Sequence, residues 1–396
     1  VAEPRDRSTL VAIAKDVATN VARPAAGDVD RHARFPKEAF DALRKERLLS
    51  CMVPVDLGGD GARIGDVAAV CTALGQGCAS TGMIFAMHQI QVACVVRHGK
   101  TPRFVEYMRE LARSQRLVAS ATTEEGIGGD VRQSSCAVNR SGDRFELEKR
   151  APVISYGDDA DDILVTARRA PDAASSDQVI VLTRKTGIAG AAERSGEVTL
   201  EKTHTWDTLG MRGTASLGYH LRATGPVDDI LPQPYADISA ETMLPFAHIL
   251  WTSMWLGLAT DAVNQARAYI RAEARKKPGQ TPPGAFRLAE LVADLHRMRG
   301  AVLDATRDYE ERMNDRDALS GPSFAIRMNN LKVSATRDLV SIVSQALSIV
   351  GIAGYKSDSK WTLGRHLRDA HGAPLMVAND RILGHNAALL LVAKDD

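Results

Sequence analysis

Nothing in this 396-residue sequence has the spacing of a metal site. Its ten histidines form no HxxxH or HExxH pattern, and its five cysteines (Cys51, Cys71, Cys78, Cys94, Cys136) are scattered, odd in number and without a CxxC pair. That pattern reads as reduced thiols filling the core in a reducing compartment, with no metal bound. Charge of one sign is also missing. The formal net charge is +1, so no strong field draws the chain to nucleic acid or to an anionic membrane. An uninterrupted apolar run of about 18 residues and a signal-peptide pattern are absent too, and the expectation is a soluble, cytoplasmic protein with no membrane association. What remains is an ordinary globular composition, 44% hydrophobic and 25% charged, long enough for two or three packed units.

The text changes grammar twice. Up to about residue 115 it is helical. "STLVAIAKDVATNVA" sets Leu10, Ile13, Ala14, Val17 and Val21 on one face, with Ser8 as a cap and Arg23-Pro24 as a stop. "FPKEAFDALRKERLL" begins with Pro36 in a first-turn position, and the apolar text from Ile64 to Val96 reads as buried helix. From 116 to 232, short runs rich in Val, Ile and Thr alternate with turn signals such as "NRSGDR", the pattern of a small antiparallel β barrel or sandwich. From 233 to 396 four long helical segments with short joints indicate a four-helix bundle. The fold class is therefore α+β: an N-terminal helical domain (1–115), a middle β domain (116–232) and a C-terminal helical bundle (233–396).

Five motifs sit at the joints of this plan. They are "TTEEGIGGD" (Thr122 to Asp130), "LEKRAPVISYG" (Leu147 to Gly157), "LGMRGTAS" (Leu209 to Ser216), "GIAGY" (Gly351 to Tyr355) and "LRDA" (Leu367 to Ala370). A flavin that accepts a hydride needs donors along its N5, O4 and N1/O2 edge, where negative charge builds. A Thr-Thr-Glu-Glu loop with nearby glycines offers hydroxyls and backbone N–H groups at close range, although the same text would also make a plain polar hairpin. Taken in order, the motifs resemble the acyl-CoA dehydrogenase superfamily of flavoproteins, and the resemblance covers nearly the whole chain. They are similar to that family's "TEPGAGSD", "NGxKxWITNG", "LGMRGTxS", "GGxGY" and "RDA" segments.

The resemblance implies FAD, or reduced FMN, between the β domain and the bundle. Thr122, Thr123, Gly128 and Gly129 would belong to its loop, with Thr123 donating toward the pyrimidine edge. Ile154 and Ser155 would lie beside N5. Asn379 and Arg381 would touch the diphosphate or adenine half, and Arg275 would reach the neighbouring subunit's cofactor in a dimer of dimers. Several positions depart from the family pattern. Val153 stands where a tryptophan is common, Gly129 replaces a serine that helps hold a thioester, and "RKKPG" (Arg275 to Gly279) replaces "RxxFG".

The largest departure concerns the base. Family members desaturate an acyl-CoA thioester, which requires a carboxylate within hydrogen-bond reach of the α-proton. The usual seat lies nine residues after the Arg of "RDA" and here holds Val377; the alternative seat on the first bundle helix holds Ala247. Three readings stay open. The base comes from elsewhere, with His88, His248 and Asp380 as candidates. Or the enzyme is an oxygen-using flavoprotein of the monooxygenase or oxidase type, working with O2 and a flavin reductase, where a dehydrogenase would work with an electron-transfer flavoprotein. Or the chain is a non-catalytic flavin- or acyl-binding subunit.

Overall fold

The structure, a computed structural model, describes residues 4–127, 130–185 and 196–393. Helices come first: α1 (Arg7–Val17), α2 (Arg23–His32), α3 (Lys37–Lys45), α4 (Ile64–Gly77), α5 (Ala79–His98) and α6 (Pro102–Ser114). Asp6, not Ser8, caps α1: its carboxylate accepts the Thr9 N–H at 2.8 Å, and Ser8 donates to the same carboxylate. Arg23-Pro24 does not stop the helical path either. A π-helical stretch, Ala18–Ala22, carries the chain directly into α2, where Pro24 occupies a first-turn position that needs no N–H partner.

The strands follow: β1 (Val118–Ala121), β2 (Asn139–Ser141), β3 (Arg144–Ile154), β4 (Asp162–Arg168), β5 (Gln178–Arg184), β6 (Glu197–His204) and β7 (Leu217–Pro226). They form two open sheets, β1-β4-β5 and β2-β3-β7-β6, so of the expected barrel or sandwich the closed barrel is absent among the described residues. One pair also departs from the antiparallel expectation: β1 runs parallel to β4, with Val118 opposite Asp162. The link between them is long enough to cross over, which a short hairpin could not do. β4 and β5 are buried along nearly their whole length, and β3 alternates buried and exposed residues, the signature of a strand with one covered face.

The remaining helices are α7 (Tyr235–Ile238), α8 (Leu244–Lys276), α9 (Ala285–Arg312), α10 (Arg316–Ser320), α11 (Pro322–Val350), α12 (Ile352–Tyr355), α13 (Gly364–Gly372) and α14 (Asn379–Leu389). The long helices α8, α9 and α11 pack together, and the fourth expected bundle helix, "APLMVANDRILGHNAALLLVAKDD", is shortened to α14 because residues 373–378 form turns. α8 also reaches back to the N-terminal helices. A Cβ on Gly257 would fall inside the carbonyl oxygen of Thr72, and one on Gly75 would strike the backbone of Met254, so bare backbone on both α4 and α8 is what lets the two helices touch. By length and composition α5 and α11 could cross a membrane, but α5 is 89% buried within the fold, as befits a core helix.

Candidate functional site

The motif loop after β1 is held by a buried ion pair. Glu124 accepts from the Ser134 hydroxyl at 2.7 Å, from the Ser135 N–H at 3.1 Å and from the Cys136 N–H at 2.7 Å. Lys149 of β3 stands 3.4 Å from the same carboxylate and donates to the Thr166 carbonyl of β4 at 2.7 Å. Burial would raise the Glu124 carboxyl, but the Ser135 hydrogen bond and the Lys149 charge outweigh it and hold it below its ordinary range. Each partner therefore neutralises the other's burial, and the loop is stitched to two strands. Thr122 and Thr123 are both half-buried. The Thr123 hydroxyl does not point its proton outward as expected; it donates to the Val153 carbonyl at 3.0 Å, tying the loop to the end of β3. Gly128 and Gly129 lie outside the described residues.

At that end of β3 the pairing with β7 slips, with a bulge between Ala151 and Ile154 that leaves Pro152 and Val153 out of register. Ile154 is fully buried, so only its backbone can face a ligand. Ser155 is half-buried, and its hydroxyl lies 2.8 Å from that of Ser216. Ser216 lies in turn 2.9 Å from the Thr214 hydroxyl, which donates to the Met211 carbonyl at 2.8 Å. The "LGMRGTAS" segment is thus joined to the "VIS" segment by a row of three hydroxyls.

"LGMRGTAS" is itself pinned by "RDA". The Asp369 carboxylate accepts the Met211 N–H at 2.6 Å, while Arg368 donates to the Leu209 carbonyl at 2.9 Å and pairs with Asp30 of α2. Asp369 is buried, and that burial raises its carboxyl above the ordinary range. Met211 and Ala215 both adopt left-handed backbone, with φ of 52° and 43°. For non-glycine residues that conformation is sparsely populated and persists only where its surroundings over-determine it.

The seat opposite "RDA" carries the same mark. Val377 is half exposed and has φ of 48°, a genuine outlier for a β-branched residue. Its carbonyl accepts from Lys332 Nζ at 2.9 Å, and the Asn379 Oδ1 accepts from the same amine at 2.8 Å. Asn379 Nδ2 donates to the Thr336 hydroxyl at 3.0 Å, so the amide expected on a cofactor is engaged inside the fold. Lys332 is completely buried on α11, and that burial pushes its ammonium down to about 8. Sequence reasoning missed it, although a signal existed: Lys332 lies on the buried stripe with Met328, Ala335 and Leu339, where an unpaired lysine has no business.

The three base candidates fare differently. His88 is fully buried beneath β1. Its Nε2 donates to the Leu49 carbonyl at 2.8 Å and its Nδ1 accepts the Val118 N–H at 3.0 Å, which leaves no ring nitrogen for a substrate. Burial pushes it down to about 4, so it is a neutral structural bridge. His248 is also buried and pushed down to about 4 by burial. Its Nδ1 donates to the Met328 carbonyl at 2.9 Å, so Nε2 carries the lone pair. It adjoins buried Ala247 and lies near enough to Lys332 for that charge to lower it further. Asp380 is exposed in the first turn of α14, where an acid favours the helix dipole. Arg381 follows it, and its charge is a minor contributor, after the Arg132 hydrogen bond, to holding Asp130 of the motif loop low. Arg275 is exposed near the far end of α8. The structure therefore gathers Thr123, Ile154, Ser155 and the Met211 turn in one place, and Val377, Asn379, Lys332 and His248 in another, and leaves His88 and Arg275 apart.

These arrangements set two expectations. An unfolded imidazole protonates near 6.5, whereas His88 and His248 stay neutral in the fold until about 4. The unfolded chain then binds the extra protons, so stability falls as pH drops from about 6.5 toward 4, by about 1.4 kcal/mol per pH unit for each ring. Urea midpoints across this window should show the slope, and His88→Gln should reduce it; an unchanged slope in that variant would assign the titration elsewhere. Lys332→Met exchanges a buried amine for an apolar chain of similar length. Global stability should change by no more than about 1–2 kcal/mol, while amide exchange over residues 374–380 quickens because the Val377 turn loses its tether. Unaltered exchange there would deny Lys332 that role.

A flavin fits the first cluster by the chemistry of its groups: a half-buried hydroxyl, a bulged strand end and a backbone turn face one another beside the loop. The matches to known proteins agree with it. Residues 4–115 match the acyl-CoA dehydrogenase N-terminal domain and residues 239–377 its C-terminal domain. The chain is 25% identical over 382 residues, 93% of each chain, to cyclohex-1-ene-1-carbonyl-CoA dehydrogenase of Geobacter metallireducens. It is 25% identical over 364 residues, 88% of this chain and 84% of the other, to an amino sugar nitrososynthase of Streptomyces peucetius. Its fold matches the FMN-bound dibenzothiophene monooxygenase TdsC of Paenibacillus sp. A11-2 with a TM-score of 0.81, at 20% identity and 97% coverage of both chains. Desaturating and oxygen-using enzymes thus share this architecture, and the chain belongs to the acyl-CoA dehydrogenase family, whose members include flavin-dependent oxidoreductases of both kinds.

Proposed function

We propose that the protein is a cytoplasmic flavin-dependent oxidoreductase that uses reduced flavin and O2 to oxidise a small organic substrate, in the manner of a monooxygenase. The carrying observation is the seat at Val377. An aliphatic side chain cannot take an α-proton, and the second seat, Ala247, is equally inert. His88 has both nitrogens engaged, and Asp380 lies out on the first turn of α14. Bound reduced flavin would supply the chemistry with oxygen; the chain supplies position and a dry wall. Thr122, Thr123, the backbone of Ile154, and Ser155 would line the ring. Reduced FMN is favoured over FAD because Asn379, expected on the adenine half, is engaged with Lys332 and Thr336. A flavin reductase would then be the electron donor.

One observation favours a second reading, desaturation of an acyl-CoA. His248 keeps the Nε2 lone pair beside the Ala247 seat and is neutral at pH 7, so it could take a proton if the substrate reached it. The two readings separate in one anaerobic experiment. The flavin-loaded protein is mixed with a straight-chain acyl-CoA, and the visible band is followed. On the oxygenase reading the flavin bleaches slowly or not at all, since a missing general base is worth about 10²–10⁴-fold. Val377→Glu should then gain bleaching if the pocket admits a thioester. Rapid bleaching by the wild type, abolished in His248→Gln, would establish the second reading and end the first.

The assembly follows from where apolar surface is left uncovered. Ile352, Tyr355, Leu375, Leu383, Leu390, Leu391 and Val392 are exposed, all within the last stretch of the chain. Such a concentration marks an association surface, and a second copy of this chain, paired again into a dimer of dimers, is the proposed occupant. Light scattering at micromolar concentration should return a multiple of the 42.7 kDa chain mass; a strict monomer would remove this proposal.

A further inference from the structure

We infer that the row of hydroxyls Ser155–Ser216–Thr214 is a directional relay that makes Ser155 an acceptor only, and so selects the reduced form of the flavin over the oxidised form. The inference rests on the placement of Ser155 against the flavin ring proposed above. Its direction comes from the fixed end. The Met211 carbonyl can only accept, and Thr214 lies 2.8 Å from it, so the Thr214 proton is committed there. Thr214 must then receive at its other contact, and Ser216 donates to it across 2.9 Å. Ser216 has no second proton, so at its contact with Ser155, 2.8 Å, it accepts. Ser155 gives its own proton inward and turns only lone pairs outward. A serine taken alone could serve as donor or acceptor; in this chain the choice is made two residues away.

The fixed end is unusually firm. Met211 is held at its N–H by Asp369 at 2.6 Å, and its carbonyl also accepts from the Trp206 indole N–H at 3.2 Å and from the Thr214 N–H at 3.1 Å. Left-handed residues, Met211 and Ala215, bracket Thr214, so the turn cannot relax without losing these contacts. Hydrogen bonds in a row also polarise one another, which strengthens the inward direction.

The chemical consequence concerns the ring nitrogen that gains hydrogen on reduction. In the oxidised ring it offers a lone pair, which meets the lone pairs of Ser155 unfavourably. In the reduced ring it offers an N–H, which Ser155 accepts. Such a site takes up reduced flavin delivered by another protein and releases it once it is oxidised, as an enzyme that consumes reduced flavin requires.

The test is binding, not turnover. Dissociation constants for oxidised FMN and, under anaerobic conditions, for reduced FMN are measured on the wild type, Thr214→Val and Thr214→Ser. Thr214→Val keeps the shape but removes both the donor to Met211 and the acceptor for Ser216. The row can then reverse, with Ser216 donating to Ser155 and Ser155 donating outward. The wild type should bind reduced FMN at least tenfold more tightly than oxidised FMN. Thr214→Val should lose at least tenfold of that ratio, equivalent to about 30 mV lower potential of the bound flavin. Thr214→Ser, which restores the hydroxyl, should regain it. A wild type that prefers oxidised FMN, or a ratio unmoved in Thr214→Val, overturns the relay while leaving the flavin site standing. Failure of the wild type to bind either form overturns the flavin reading itself and the relay with it.

Discussion

The Asp369 carboxylate on the Met211 N–H, with the adjoining Arg368–Asp30 ion pair, joins all three parts of the chain. Asp369 belongs to α13, Met211 to the turn before β7, and the adjoining Arg368 reaches Asp30 on α2. A buried carboxylate is costly unless it is hydrogen-bonded, and this one lies where burial raises it. One of its oxygens accepts the N–H of Met211, whose backbone is left-handed. Close backbone approach helps: a Cβ on Gly210 would overlap the Arg368 carbonyl, so the turn and α13 touch without side chains between them. Remove the carboxylate and the turn loses its hold, and with it the terminal acceptor for Thr214.

Of the seven described non-glycine residues in left-handed backbone, four lie in or beside the sequence motifs. Met211, Ala215, Tyr156 and Val377 all have φ between 43° and 52°. Three of them have a buried partner: Met211 gives its N–H to Asp369, Tyr156 donates its hydroxyl to the Val118 carbonyl at 2.9 Å, and Val377 receives the Lys332 amine. Strain of this kind costs on the order of 1–3 kcal/mol per residue and survives only against strong local constraint. The pattern therefore separates structural from functional groups more sharply than residue type does. His88, the most chemically suggestive residue of α5, sits in relaxed helix and bridges two backbone segments. Val377, chemically inert, sits strained and exposed at the turn before α14.

Much of the architecture was legible in the sequence because it depends on local signals. Apolar periods of 3.6 marked the helices, and Val-rich runs between turn signals marked the strands. Motifs such as "LGMRGTAS" and "RDA" identified the joints, but not that one closes on the other. What stayed hidden depends on partners far apart in the chain. Glu124 reads as one of two acids in a polar loop until Lys149 is seen 3.4 Å away. Lys332 stands out on an apolar stripe, but its acceptors, on a turn 45 residues later, are visible only in the fold. The choice between barrel and sandwich stayed open for a similar reason: strand composition reveals burial but not whether the last strand returns to the first, and here both sheets are open, with β1 parallel to β4.

The vacant base seat and the buried amine belong to one arrangement. A carboxylate at position 377 would belong to a residue whose backbone the Lys332 ammonium already reaches, so pairing of the two charges would compete with the backbone contacts. With valine there, the amine finds its acceptors in the Val377 carbonyl and Asn379 instead, and the turn is held by backbone rather than by side chain. The side chain is thereby released from any polar duty and presents hydrocarbon, 44% exposed, at the turn. A desaturating enzyme has no use for that wall, because its reaction begins with a proton leaving to this position. An enzyme that must keep water away from a reactive cofactor does, since apolar surface excludes water where a carboxylate would hydrate. On the oxygenase reading proposed above, valine at 377 both removes the base and supplies apolar surface.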